Sequence, residues 1–279
     1  MENRISAMNP SGPSIAVTAR TGTDATQAIQ TALDEAAKRG GVVRLEAGVY
    51  EISTLRVPSH VALIGDPTWS YRRSGGAILR LVDETAECAL LLDQVQGAHI
   101  AGLSLESAVA SRAHGILLRN AEQGWPRETE NAVRIEHCRV NGFGGDGIHL
   151  EKAWAFSIRF CMISHNQRHG IRLAGCDGFF LDNWLSGNGG CGFATESWNG
   201  SNTFTGNRIE WNGEAGVRIR GGFAYQFANN YVDRNGGPGI LLEPWLPHRP
   251  YNEYVSFTGN IIYRNAVSYT HLRAHETPE

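Results

Sequence analysis

Gly147-Ile-His-Leu150, Gly170-Ile-Arg-Leu173, Gly192-Phe-Ala-Thr195, Gly216-Val-Arg-Ile219 and Gly239-Ile-Leu-Leu242 are variants of one phrase: glycine, apolar, variable, apolar. With Gly115-Ile-Leu-Leu118 ahead of them, the successive spacings are 32, 23, 22, 24 and 23 residues. Two further phrases keep the same period. An Ile or Phe is followed three residues later by Cys or Asn at Ile135/Cys138, Ile158/Cys161, Phe180/Asn183, Phe204/Asn207, Phe227/Asn230 and Phe257/Asn260. An Ile, Leu or Val is followed three later by Asn at Ile163/Asn166, Leu185/Asn188, Ile209/Asn212, Val232/Asn235 and Ile262/Asn265. Each repeat therefore holds three short runs of period-2 alternation, which is the period of strands. Such runs cannot bury a core alone, but stacked ~4.8 Å apart they bury a continuous one. The expected fold is an all-β parallel β-helix of three strands per coil. Asn at its corners is expected to tolerate the left-handed conformation and to bond to the same Asn in the next coil.

Outward from the repeats, the pattern weakens at both ends. Asp24 to Arg39 reads as a capping helix, with Asp24 and Gln27 at capping-box spacing and Ala28, Ile29, Ala32, Leu33 and Ala36 as its apolar stripe. The expected organisation is a flexible segment 1–14, one domain over 15–265 (cap and first coils 15–96, regular coils 97–265) and a tail, 266–279. The tail's Val267-Ser-Tyr-Thr-His-Leu-Arg-Ala-His-Glu-Thr277 resembles translated sequencing-adapter read-through and is expected to be an artefact. A length prior of ~150 residues per domain would split 279 residues in two, but repeats override it. The net charge of −3 argues against a nucleic-acid partner. No run approaches the ~18 apolar residues of a membrane span. Residues 1–13 carry no apolar signal-peptide core. Five cysteines without paired or metal-type spacing read as buried thiols.

Thr21-Gly-Thr-Asp-Ala-Thr-Gln-Ala-Ile-Gln30, Gly40-Gly-Val-Val-Arg-Leu-Glu-Ala-Gly-Val-Tyr-Glu-Ile-Ser53 and Val61-Ala-Leu-Ile-Gly65 resemble the N-terminal signature of the pectate-lyase-like superfamily. The Gly-Ile-x-Leu coils resemble its repeats, and the resemblance spans roughly residues 20–265. It implies a right-handed parallel β-helix, a polysaccharide as substrate or ligand, and an extracellular setting. The polygalacturonase Asn-Thr-Asp plus Asp-Asp set is absent from the sequence.

By analogy with that superfamily, the Gly-Ile-x-Leu strand is taken as the groove strand, with its x position pointing outward. One outward column is then Leu117, His149, Arg172, Ala194, Arg218 and Leu241; another is Arg119, Glu151, Ala174, Glu196, Arg220 and Glu243. The residues preceding each Gly stack as His114, Asp146, His169 and Cys191. Asp146 between two imidazoles is expected to raise their pKa values and supply a proton carrier near neutral pH. Arg172, Arg218 and Arg220 suit a uronate carboxylate, whose charge must be neutralised for β-elimination. The candidate catalytic set is Asp146, His149, His169 and Arg172 for a lyase. A hydrolase would need two carboxylates, either Glu151 with Glu196 at ~10 Å or Glu210 with Asp233 at ~5 Å. Trp125, Trp154, Trp198 and Trp245 follow the groove strand and suit stacking on sugar rings. No cofactor or metal is indicated, although Asp177 and Asp182 keep calcium open. The leading expectation is a polysaccharide lyase or glycoside hydrolase. The alternative is a non-catalytic glycan-binding or structural module of the surface- or tail-fibre type.

Overall fold

The structure is a computed structural model that describes residues 14–18, 22–66, 70–120, 130–195, 199–244 and 252–266. The tail 267–279 and residues 1–13 lie outside these, and Ser14 already begins a strand. The three sequence phrases form three stacks of parallel strands. The Gly stack runs from Leu55–Arg56 through Cys88–Asp93 and His114–Arg119 to Ile240–Glu243. The Phe stack runs from Ser14–Val17 to Ser256–Thr258. The third stack is a separate sheet of nine strands, Gly48–Ile52 to Ile261–Tyr263. The Gly and Phe stacks merge because Ile148–Arg159 and Ile171–Leu181 run unbroken around the corner between them.

The repeat residues explain the stacking. Phe180, Phe204, Phe227 and Phe257 form an inner column of near-parallel rings, with centroids 4.4, 4.8 and 5.2 Å apart. At one corner the Nδ2 of Asn183 donates to Asn207 Oδ1 (3.0 Å), Asn207 to Asn230 (2.9 Å) and Asn230 to Asn260 (2.9 Å). Each acceptor Oδ1 also takes the backbone N–H of the Asn one coil earlier. A second ladder links Asn166, Asn188, Asn212, Asn235 and Asn265 in the same way. This second ladder dictates the glycine of the Gly phrase. A Cβ on Gly170 would lie 2.8 Å from Asn188 Nδ2 and 2.6 Å from Gly192 O, and Gly216 meets Asn235 at the same 2.8 Å.

Three expectations change. The ladder asparagines do not adopt the left-handed conformation; the residue before each does, as at Asp182, Gly206, Trp211, Asn229 and Arg234. The corner thus turns one residue early and leaves the Asn amide free for its ladder. The helix α1 spans Thr26–Ala37 rather than Asp24–Arg39, and no capping box forms. Asp24 instead pairs in a bridge with Glu51 and its Oδ1 accepts the Thr26 N–H at 2.8 Å. The stripe Ile29, Ala32, Leu33 and Ala36 covers the first coil, while Ala28 faces out. All five cysteines are buried free thiols, as expected.

Asn207→Ala strands the Asn183 amide and the Phe180 carbonyl that Asn207 now serves. It is expected to lower the unfolding free energy by about 2–4 kcal/mol, against less than about 0.5 for outward-facing Thr205→Ala. Urea unfolding followed by circular dichroism checks this; equal losses would contradict the ladder's role.

Candidate functional site

The outward face of the Gly stack is not a solvated surface. In its x column Leu117, His149 and Ala194 are buried, and Arg172, Arg218 and Leu241 are half-buried. At one end Cys88, Leu91 and Leu117 form a small apolar cluster, and further along Cys191, Ala194 and Ala215 form another with Leu241 against it. Between these two apolar clusters the same positions are filled by His114, Asp146, His149 and His169. Asp146 is fully buried, and His149 and His169 are each 6% exposed. Burying ionisable groups where neighbouring coils use Cys, Ala and Leu is unfavourable for stability, and such placement marks functional sites.

The corner column works as a ladder of acceptors. The Asp146 N–H donates to His114 Nδ1 (2.9 Å), the His169 N–H to Asp146 Oδ1 (3.1 Å) and the Cys191 N–H to His169 Nδ1 (2.9 Å). A neutral imidazole that accepts at Nδ1 carries its proton on Nε2. His114 Nε2 lies 3.2 Å from His149 Nδ1, with the rings edge-to-face. His149 Nε2 in turn lies 3.3 Å from Glu151 Oε1, whose side chain is 45% exposed. A buried chain of neutral imidazoles thus surfaces at one carboxylate. Asp146 Oδ2 is 3.5 Å from His114 Nδ1 and 3.3 Å from His149 Nδ1, yet it has no hydrogen bond.

The expectation of a raised imidazole pKa fails at His114, and the neighbouring His149 is lowered as well. Burial pushes His149 down to about 3, with His114, Arg172, Arg168 and His169 adding to the fall. Burial also lowers His114, with Asp146 opposing it. Desolvation outweighs the single carboxylate. At neutral pH His149 is therefore a neutral imidazole whose Nε2 lies beside the solvent-exposed carboxylate of Glu151.

Other expected residues are disposed as follows. Arg172 stands beside His149 in the strand register and is half-buried. Arg218 lies 3.5 Å from Glu214, and Arg220 lies 3.4 Å from Glu243. Half-buried Trp154 donates its indole N–H to Asp177 at 2.7 Å, so one ring edge is anchored. Trp125, Glu196, Trp198 and Trp245 lie outside the described residues. Glu210 and Asp233 belong to the third sheet, away from this face. Arg264 and Arg234 bind Asp233, and Arg208 and the Trp184 indole bind Glu210. Both carboxylates are thus paired with arginines, while Glu210 Oε2 is buried without a hydrogen bond. Sequence reading passed over His114 as a site residue, although it occupies the corner column, and Arg168, which lies 3.8 Å from Asp146 Oδ1.

Two groups of side chains bring donor atoms within reach of one metal ion: His114, Asp146 and His149; and His169, Cys191 and Glu214. In both, an imidazole Nδ1 is already occupied by a backbone N–H. Its Nε2 then holds the proton, so ligation by either nitrogen would break the corner ladder.

Residues 88–245 and 146–276 match the family described as "Right handed beta helix region", and the chain belongs to that family. No curated protein sequence matches the chain. Among solved structures it is similar to the A-module of the mannuronan C-5 epimerase AlgE4 of Azotobacter vinelandii, at 19% identity and a TM-score of 0.65 over 88% of this chain and 75% of that one. It is similar to the Agl-KA catalytic domain at 19% identity and a TM-score of 0.72, spanning 90% of this chain but only 48% of that one. It is also similar to DFA-IIIase from Arthrobacter chlorophenolicus A6, at 15% identity and a TM-score of 0.62, over 91% of this chain and 72% of that one. At these identities the likeness is one of fold alone; the family match makes the β-helix right-handed.

Below the ordinary histidine pKa near 6.5 the unfolded chain takes up a proton that folded His149 refuses until about pH 3. Stability from this residue is therefore complete above pH ~6.5 and falls as pH drops, by up to about 1.4 kcal/mol per pH unit. Urea unfolding across this range is expected to show the slope and to show it reduced in His149→Gln; parallel slopes would contradict the buried neutral state.

Proposed function

We propose that this chain acts on an acidic polysaccharide by removing the proton beside a uronate carboxylate, with β-elimination as the completed reaction. The observation that carries this reading is the polar cluster of His114, Asp146, His149 and His169 between two apolar clusters of the same column, opening to solvent at Glu151. In the proposed reaction Glu151 takes the proton from C5. The C–H electrons form the C4–C5 double bond, the C4–O4 bond breaks with its electron pair going to O4, and O4 takes up the proton that Glu151 removed, which returns the carboxylate to its starting state. Arg172, beside His149, neutralises the substrate carboxylate as charge builds on it. His149 holds Glu151 in place with its Nε2–H. The structural likeness to a protein named for mannuronan C-5 epimerisation supports attention to the same carbon. Return of the proton to the opposite face of C5 would make the reaction an epimerisation. The salt bridges of Arg218 and Arg220 favour a second reading, a glycan-binding module whose cations are already committed.

Incubation with uronate-rich and neutral polysaccharides in heavy water separates these outcomes. Unsaturated uronate is expected from the wild type, with a loss of about 10²–10⁴-fold in Glu151→Gln at unchanged thermal midpoint. Deuterium at C5 without unsaturation would make it an epimerase. New reducing ends alone would move the chemistry to Glu151 with Glu196. Retention of the polysaccharide without turnover would leave the binding module.

A further inference from the structure

We propose that His114 is a positioning residue, fixing His149 in the tautomer that aims a permanent N–H at Glu151. This deepens the reading above, since it assigns how the surface carboxylate is held. The argument rests on two nitrogens of one ring. His114 Nδ1 is occupied by the Asp146 backbone N–H at 2.9 Å, so the His114 proton must sit on Nε2. That Nε2 points at His149 Nδ1 from 3.2 Å. Two N–H groups cannot face each other at that distance, so His149 accepts at Nδ1 and carries its own proton on Nε2, 3.3 Å from Glu151 Oε1.

A competing arrangement exists, and the geometry rejects it. If His149 carried its proton on Nδ1, that proton could serve Asp146 Oδ2, only 3.3 Å away and without any hydrogen bond. The alignment there makes no bond, whereas the contact with His114 does. The unserved oxygen of a fully buried carboxylate is thus the cost of holding His149 in the outward-donating tautomer. Without His114, nothing would occupy His149 Nδ1, and the ring would be drawn to Asp146 and away from Glu151. The charged and titratable groups facing the imidazole pair are Asp146, Glu151, Glu87, Arg168, Arg172 and His169. The three carboxylates favour a proton on the pair, while both arginines and the desolvation oppose one.

Long-range proton–nitrogen correlation spectra of the ¹⁵N-labelled full chain test this without any substrate. In the wild type, His114 and His149 are both expected as Nε2–H tautomers at neutral pH, and His149 is expected not to titrate between about pH 5 and 8, where an ordinary histidine does. In His114→Leu, His149 is expected to change to the Nδ1–H tautomer and to begin titrating in that range. His114→Gln can accept the Asp146 amide and donate to His149, so it is expected to restore the wild-type spectrum. A wild-type His149 that is protonated on Nδ1 or titrates near 6.5 would overturn the proposal, even if neither variant folded. So would a folded His114→Leu in which His149 is unchanged. If the spectra are as expected but no polysaccharide is turned over, the enzymatic reading fails and the tautomer lock stands.

Discussion

Every coil of this molecule has to find partners for the backbone amides at its corners. Strand hydrogen bonds serve the straight segments, but a chain that turns three times in about 23 residues removes some N–H groups from those ladders. An unserved buried amide costs about 1–3 kcal/mol, and the cost recurs in every coil. The recurring solution is a side-chain acceptor aimed along the stack. At two corners that acceptor is Asn, whose amide accepts with one atom and donates with the other, so a column of identical residues satisfies itself.

The third set of corner residues solves the same problem with different chemistry. His114, Asp146 and His169 also accept the N–H of the next coil, which gives them a structural duty equal to that of Asn. Unlike Asn, an imidazole that accepts at one nitrogen has a defined proton at the other. A structural ladder therefore becomes, at no extra backbone cost, a set of oriented N–H donors on the face beside it. The flanking Cys191 and Ala215 positions show that the corner can be built without ionisable groups. The column needs an acceptor or an apolar cover; it does not need two histidines and an aspartate packed around His149.

The repeat made most of the fold legible. Spacing alone gave the stacks, the Asn ladders and the inward apolar pairs, because a solenoid coil contacts chiefly its neighbours and its rules recur. Less was legible at the corners and in the site. The left-handed residue precedes the Asn, and Trp211 and Arg234 carry no mark of it, since the Gly at 206 is only one solution to that strain. The face of the Gly stack is chosen by resemblance to a superfamily, and on it Asp146 lies 3.3 Å from His149, with Arg172 beside His149 in register. Their burial could not be read from sequence, because it depends on contact between the two columns rather than on the strand's alternation. From that burial come the lowered pKa values of His114 and His149. The pair Glu210 and Asp233 shows the complementary failure: register placed them in adjacent coils, as expected, but the arginines that neutralise them come from Arg208, Arg234 and Arg264, at a strand and two corners.

A site built on stacked coils is constrained in a way that a site on loops is not. Adjacent residues of a column sit ~5 Å apart by the geometry of the sheet, so functional groups come in lines, one per coil, and cannot converge on a point. Convergence here comes from using two lines at once. The corner column supplies His114 and Asp146, and the strand column supplies His149 and Arg172, with Glu151 two residues further along the same strand. Folding the first column onto the second brings atoms from three coils within about hydrogen-bonding distance while leaving every strand in register. It also excludes water from the imidazoles and leaves one carboxylate at the surface. The same operation that completes the coil's hydrogen bonding thereby creates a desolvated, oriented pair of imidazoles on an otherwise regular wall.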